Sequence, residues 1–279
     1  MYNTKEIMIK NLQKKYRYSL ILLRELVITE FKLRYQGSVL GYLWSLLRPL
    51  FLFIILYVVF VYFLRIGGDI PHWPVSMLLG IVLWNFFAEV TNNGVTSIVN
   101  RGDVIRKINF PKYVIVIAGT ISAFINLLLN LVVIAIFIAI NGVHLTALAF
   151  LSPLFIIEIF IFALGLSFAL SAIFVRVRDI NYIWEIIMQG LFYASAVIYP
   201  VSMVIDKSIL AAKALLLNPV AQAIQDIRYV LINQQDTPTL LTLTGNWMYI
   251  LIPIGIVGVV FIGGALYFKS KSSQFAENV

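Results

Sequence analysis

The sequence predicts an all-α, polytopic membrane protein, and three observations carry that prediction. Hydrophobic residues make up 61% of the chain and charged residues 12%, with a mean hydropathy of +0.93. That is more apolar surface than a water-soluble core of this size can hide. The apolar residues fall into runs long enough for a helix to cross a bilayer. The basic residues keep to alternate connections between those runs, the asymmetry that orients a membrane protein.

The chain enters through an amphipathic stretch. On a helical wheel of residues 16–35, Leu20, Leu22, Leu23, Leu26, Val27, Phe31 and Leu33 fill one half, while Arg17, Arg24, Glu25, Thr29 and Lys32 gather on the other. Ile21 and Ile28 fall on the charged side, and Glu30 and Arg34, an i,i+4 pair, interrupt the apolar arc. Such a helix lies in the interface between water and lipid. Gly37, Ser38 and Gly41 then supply a flexible break before the first span, 39–64, which is apolar except for Ser45 and Arg48. Its length suffices to cross a hydrocarbon core of roughly 30 Å with some tilt. Pro49 is placed to kink it, and Arg48 lies within snorkelling reach of the nearer face.

Further spans are expected at about 75–99, 113–140, 149–175, 182–205 and 247–268. Segment 206–246 holds two shorter amphipathic pieces divided by Asn218-Pro219, neither long enough to cross. The expected architecture is therefore six transmembrane helices, an N-terminal amphipathic interface helix, and short non-spanning outer helices between spans five and six. Residues 1–36 form the interface segment and 37–279 the transmembrane domain. Sixteen Lys and Arg fall on the side of the termini; the other side has Arg65, Lys207, Lys213 and Arg228. Both termini are thus expected in the cytoplasm. No secretory signal is visible, since Arg24 and Glu25 cut the early apolar run.

Polar groups inside spans are costly, so each needs a reason. In the second span Asn85, Glu89, Asn92, Asn93, Thr96 and Asn100 fall within an arc of about 100°. In the fifth, Tyr182, Glu185, Gln189, Tyr193 and Pro200 form a similar stripe. Either stripe can face a hydrated passage or hydrogen-bond between helices in a tight bundle. Glu158 shares a face of the fourth span with Gly165, Ala169 and Ala172, a pattern of close helix packing. The first span carries an aromatic stripe of Tyr42, Phe53, Tyr57 and Phe60. It can pack against neighbours, or stack on sugar rings if the cargo is a carbohydrate.

Several chemistries are unsupported. The chain has no cysteine, which excludes disulfides and thiolate sites, and its two histidines, His72 and His144, are distant in sequence. There is no G-x-x-x-x-G-K-[ST], so no nucleotide site of that kind, and no H-E-x-x-H or G-x-S-x-G motif. The net charge of +8 follows membrane topology and gives no reason to expect nucleic acid. No cofactor or metal is expected on this chain.

The sequence resembles the ABC-2-type permease subunits of bacterial polysaccharide exporters, which move O-antigen, capsule or teichoic acid. The matching run is 26–60, LVITEFKLRYQGSVLGYLWSLLRPLFLFIILYVVF, with Arg34-Tyr35, Leu40-Gly41, Trp44 and Leu47-Arg48-Pro49 in family order. RGDVIRKINFPK at 101–112, RVRD at 176–179 and FYASAVIYP at 192–200, followed by Asn218-Pro219, add to it. Ala196 departs from the family, whose members often have Pro after Ser195. The resemblance implies a homodimeric channel in the bacterial inner membrane, exporting a lipid-linked polysaccharide. ATP and Mg would bind a separate ATP-binding cassette subunit. It further implies that Glu30, Arg34, Arg101, Asp103, Arg106 and Lys107 contact that ATPase, and that the Leu40-Gly41 turn borders the cytoplasmic entrance. The short outer helices would gate the far side. Tyr42, Phe53, Tyr57, Phe60, Glu185, Gln189 and Tyr193 are the expected substrate-path residues. Competing expectations are an exporter of a drug or small lipid, a membrane-embedded enzyme acting on a polyprenyl-linked substrate, and a membrane scaffold.

Overall fold

A computed structural model describes residues 19–30, 32, 38, 40–41, 43–107 and 110–278. Among these residues the fold is entirely helical, and five helices are long and apolar enough to cross a membrane: Leu43–Phe63, Trp73–Thr96, Tyr113–Ile140, Ala147–Phe174 and Trp247–Glu277. We name the elements α1 (Leu43–Leu56, continued as a π-helix over Tyr57–Phe63), α2 (Trp73–Thr96), α3 (Tyr113–Ile140), α4 (Ser152–Phe174), α5 (Ile180–Ala194), α6 (Pro219–Leu231) and α7 (Leu251–Lys271).

The shaft of the bundle is α2. From Val75 to Phe87 every residue except Asn85 is buried, because α1, α3, α4, α5 and α6 all pack around it. α4 and α7 approach most closely where neither has a side chain. A Cβ on Gly264 would sit 2.1 Å from the Gly165 carbonyl, and one on Gly165 would sit 2.5 Å from the Phe261 Cα. Ser167 holds α4 to α2 by donating to the Val90 carbonyl at 3.0 Å. In lipid this kind of close contact drives helix association, since apolar side chains gain little by leaving hydrocarbon for one another.

The fifth span departs from expectation. The apolar run 182–205 reads as one crossing, yet α5 ends at Ala194. Its 15 residues rise only about 22 Å, short of a bilayer core. The chain then turns through Ala196, at φ +48°, into a buried non-helical segment, so the break forms without the proline usual in the family. Exposed backbone in a membrane costs several kcal/mol per unpaired group, so such a segment persists only where side chains satisfy it. Here they do. Tyr199 Oη donates to the Tyr193 carbonyl at 2.5 Å, and Asn218 Nδ2 to the Ala194 carbonyl at 3.4 Å and Ser195 Oγ at 3.0 Å. Arg228 donates to the carbonyls of Ala196 (Nη1, 2.8 Å), Val197 (Nη2, 2.6 Å) and Ser76 (Nε, 2.9 Å).

Asn218 and Arg228 come from segment 206–246, expected to hold two short non-spanning pieces. The pieces divided at Asn218-Pro219 are Ile209–Leu215 and α6. Asn218 Oδ1 caps α6 by accepting from Val220 N at 3.1 Å. Although short and amphipathic as expected, α6 is buried on nearly every side, including Gln222, Gln225 and Arg228.

At the opposite end, residues 19–30 are helical and set Leu26 into an apolar cluster with Ile105, Phe110, Phe168, Phe268 and Phe275. Apart from Lys32, the rest of the proposed interface helix, including Arg34, lies outside the described residues. Lys112 Nζ donates to the Ser272 carbonyl at 2.6 Å and Arg176 Nη2 to Gln274 Oε1 at 2.8 Å, so the last helix folds onto this same basic end.

Candidate functional site

One face of α5 turns inward through Trp184 and Met188, and Thr91 Oγ1 of α2 meets Met188 Sδ at 3.9 Å. That anchoring turns the polar stripe of α5 outward: Glu185, Gln189 and Tyr193 are exposed. Together with Trp84, Ala88 and Asn92 of α2 and Phe192 of α5 they line an open groove of about 670 Å³. The fold thus brings Glu185, Gln189 and Tyr193 into one place with Asn92 of the second span's stripe.

The rest of that stripe goes elsewhere. Glu89 accepts from Asn126 Nδ2 of α3 at 2.9 Å, and Asn130 Nδ2, one turn on, donates to the Ser45 carbonyl of α1 at 3.3 Å. One arc therefore serves two purposes: its Glu89 edge joins helices, and its Asn92 edge faces the groove.

The groove has an aromatic floor that sequence reasoning missed. Trp84 meets Phe192 edge-on at 5.6 Å between ring centroids, and Phe192 meets Tyr193 at 5.3 Å. Neither Trp84 nor Phe192 is among the path residues expected from the sequence. The available signal was for Phe192 alone, which follows Gln189 by three residues on the same face of α5.

The first-span aromatics differ in exposure. Phe53 is buried, 5.8 Å from Tyr57 and edge-on to Phe137 of α3 at 6.2 Å. Phe60 is partly buried against the central core, and Tyr57 is exposed. The cause is local. From Tyr57 the helix widens to π geometry, with Leu64 N bonded to the Val59 carbonyl at 3.0 Å, and a constant 3.6-residue period no longer places the later residues. Tyr42 lies outside the described residues.

Leu40 and Gly41 form a turn at the foot of α1. Gly41 holds φ +50° and its N–H bonds the Ser38 carbonyl at 3.3 Å and Ser38 Oγ at 3.2 Å. Among the expected coupling residues, Arg101 Nη2 lies 2.6 Å from Glu30 Oε1, and both side chains are about four-fifths shielded from solvent. This pair ties the entry helix to the connection between α2 and α3. Asp103 and Arg106 pair locally at 2.8 Å on the helix Gly102–Lys107 and, with Lys107, stay exposed. No three His, Asp or Glu side chains among the described residues gather to hold a metal.

Residues 21–232 match the ABC-2 type transporter family. The O-antigen export system permease protein RfbA of Myxococcus xanthus is 28% identical over 277 residues, covering 98% of this chain and all of that protein. Two proteins of the same name from Klebsiella pneumoniae are 28% and 27% identical over 269 residues, each covering 94% of this chain and 98% of the relative.

Proposed function

Because the chain belongs to the ABC-2 type transporter family, we propose that it is the membrane subunit of an ATP-driven exporter that carries a lipid-linked polysaccharide out through the bacterial inner membrane. The observation that carries the reading is the groove between α2 and α5, where amides, one carboxylate and aromatic rings line a single open channel wall. Sugars suit such a wall: amides and carboxylates exchange hydrogen bonds with hydroxyls, while rings stack on the apolar faces of pyranoses. A polymer must be gripped at many weak points and still move, as an ion does in a pore. The export role named in its relatives supports the same cargo class.

The groove is open along α5, whose Tyr182, Ile186 and Tyr193 are exposed. A second copy of the chain would close it, making the conduit a homodimer. The end bearing Glu30, Arg101, Asp103, Arg106 and both terminal regions faces the cytoplasm by the bias in basic residues. There the exposed Asp103, Arg106 and Lys107 would dock a separate ATP-binding cassette subunit, which binds ATP and Mg and performs the hydrolysis. The test is reconstitution. Purified alone, the chain hydrolyses no ATP; with its ATPase partner in proteoliposomes, ATP addition moves lipid-linked polysaccharide across the bilayer. ATP turnover by the pure chain, or transport of small lipids or drugs with none of the polysaccharide, would refute the reading.

A further inference from the structure

The end of the bundle away from the basic segments carries a second cleft, of about 360 Å³, that the groove does not use. The sequence has two histidines, and the fold brings both to it: His72 from the turn entering α2, and His144 from the connection between α3 and α4. Pro71, Thr146 and residues 229–236 complete the wall.

That wall is set in place by its own bonds. Asn233 Oδ1 accepts from the amides of Gln235 at 3.0 Å and Asp236 at 3.2 Å, and its Nδ2 donates to Asp236 Oδ2 at 2.9 Å. Gln234 Nε2 donates to Thr146 Oγ1 at 2.6 Å, pinning this segment to the α3–α4 connection. Little ordering therefore remains to be done when a ligand arrives. His72 holds φ +57°, a left-handed conformation unusual for a residue with a Cβ, and its side chain does not cap the helix it precedes. Strain of this kind concentrates where a side chain has to be aimed. The side chains of His72, His144 and Tyr229 bond no other described residue, so their donors and acceptors are free for a ligand.

The lining selects the ligand class. It contains no Lys or Arg to neutralise a phosphate, and the described residues gather no three metal-ligating side chains. It offers imidazoles, a phenol, amides and one carboxylate, beside apolar edges at Pro71 and Leu231. Such a mixture of neutral donors and acceptors against an apolar surface suits a hydroxyl-rich ring. We propose that this cleft binds neutral sugar units of the polymer as it leaves on the outer side, a proposal that rests on the export reading above.

The test uses the chain assembled with its ATP-binding partner in nanodiscs. The probe is the oligosaccharide released by mild acid from the host's surface polysaccharide, with binding followed by saturation-transfer NMR. His72→Ala with His144→Ala should weaken binding about tenfold, the loss of one or two hydrogen bonds. Tyr229→Phe removes a single oxygen and should weaken it about threefold with an unchanged melting temperature. Val259→Ala, on the exposed face of α7, should bind as wild type. Equal binding by wild type and Tyr229→Phe, whether or not the double variant folds, overturns the site, as does binding of zinc alone with no oligosaccharide. If polymer export is normal but these variants bind unchanged, only the cleft proposal falls. A wild-type complex that exports no polymer brings down the export reading as well.

Discussion

Arg228 Nη2 of α6 donates to the Val197 carbonyl at 2.6 Å, in the non-helical break that follows α5. The same guanidinium reaches Ala196 and Ser76 and lies 5.3 Å from the Trp73 ring centroid, almost wholly buried. A planar, always-charged fork is the side chain suited to three carbonyls at once. By holding the break, Arg228 fixes where α5 ends and so how its polar face meets α2.

Arg228→Ala strips the carbonyls of Ala196 and Val197 of their donor, along with the extra bond to Ser76, and should cost about 3–5 kcal/mol. Arg228→Lys keeps the charge, loses the fork, and should fall between. Gly80→Ala should resemble the alanine variant, because its Cβ would lie 2.3 Å from Arg228 Nη2. Melting temperature in detergent checks all three. An Arg228→Ala protein as stable as wild type would refute the role.

Two ion pairs among the described residues of the basic end should behave differently on charge reversal. Arg101→Glu breaks the shielded contact with Glu30 and should lower stability, with partial recovery on adding Glu30→Arg. Arg106→Glu breaks an exposed local pair worth about 0–1 kcal/mol. It should leave melting unchanged yet weaken capture of the ATPase subunit, read by co-purification. Loss of stability with full ATPase capture in Arg106→Glu would reverse the assignment.

Within the first-span aromatics, Phe53→Ala opens a hole against Phe137 and should cost about 3–5 kcal/mol. Tyr57→Ala, at an exposed position, should stay within about 0.5 kcal/mol. Thermal melts of the two single variants separate packing from path. Equal losses would mean that both rings pack.

Much of this arrangement was legible in the sequence. The third span falls where its apolar run placed it, at Tyr113–Ile140, because charged connections bound it on one side and Asn141-Gly142 on the other. Glu185 and Gln189 were legible as a polar stripe, since an ionisable residue in an apolar helix stands out. Arg228 was not. Sequence position made it one more outer cation, and only tertiary structure reveals that the carbonyls freed at Ala196 and Val197 need a donor. The π-helix over Tyr57–Phe63 was equally hidden, because YVVFVYF carries nothing that marks a change of period. The groove's Trp84 and Phe192 are large apolar rings beside the polar residues Asn85 and Gln189, and in a membrane helix such rings do not stand out from those that face lipid or core.

The central claim is that the polymer passes through the groove between α2 and α5. The chain has no cysteine, so a single Gln189→Cys gives a unique handle in that groove, and Val259→Cys gives one on the exposed face of α7. The decisive measurement is surface polysaccharide export before and after attaching a bulky maleimide at each position, with complex assembly checked in the same samples. Modification at position 189 should stop export while modification at 259 leaves it unchanged. Undiminished export from a fully labelled Gln189→Cys complex would contradict the claim.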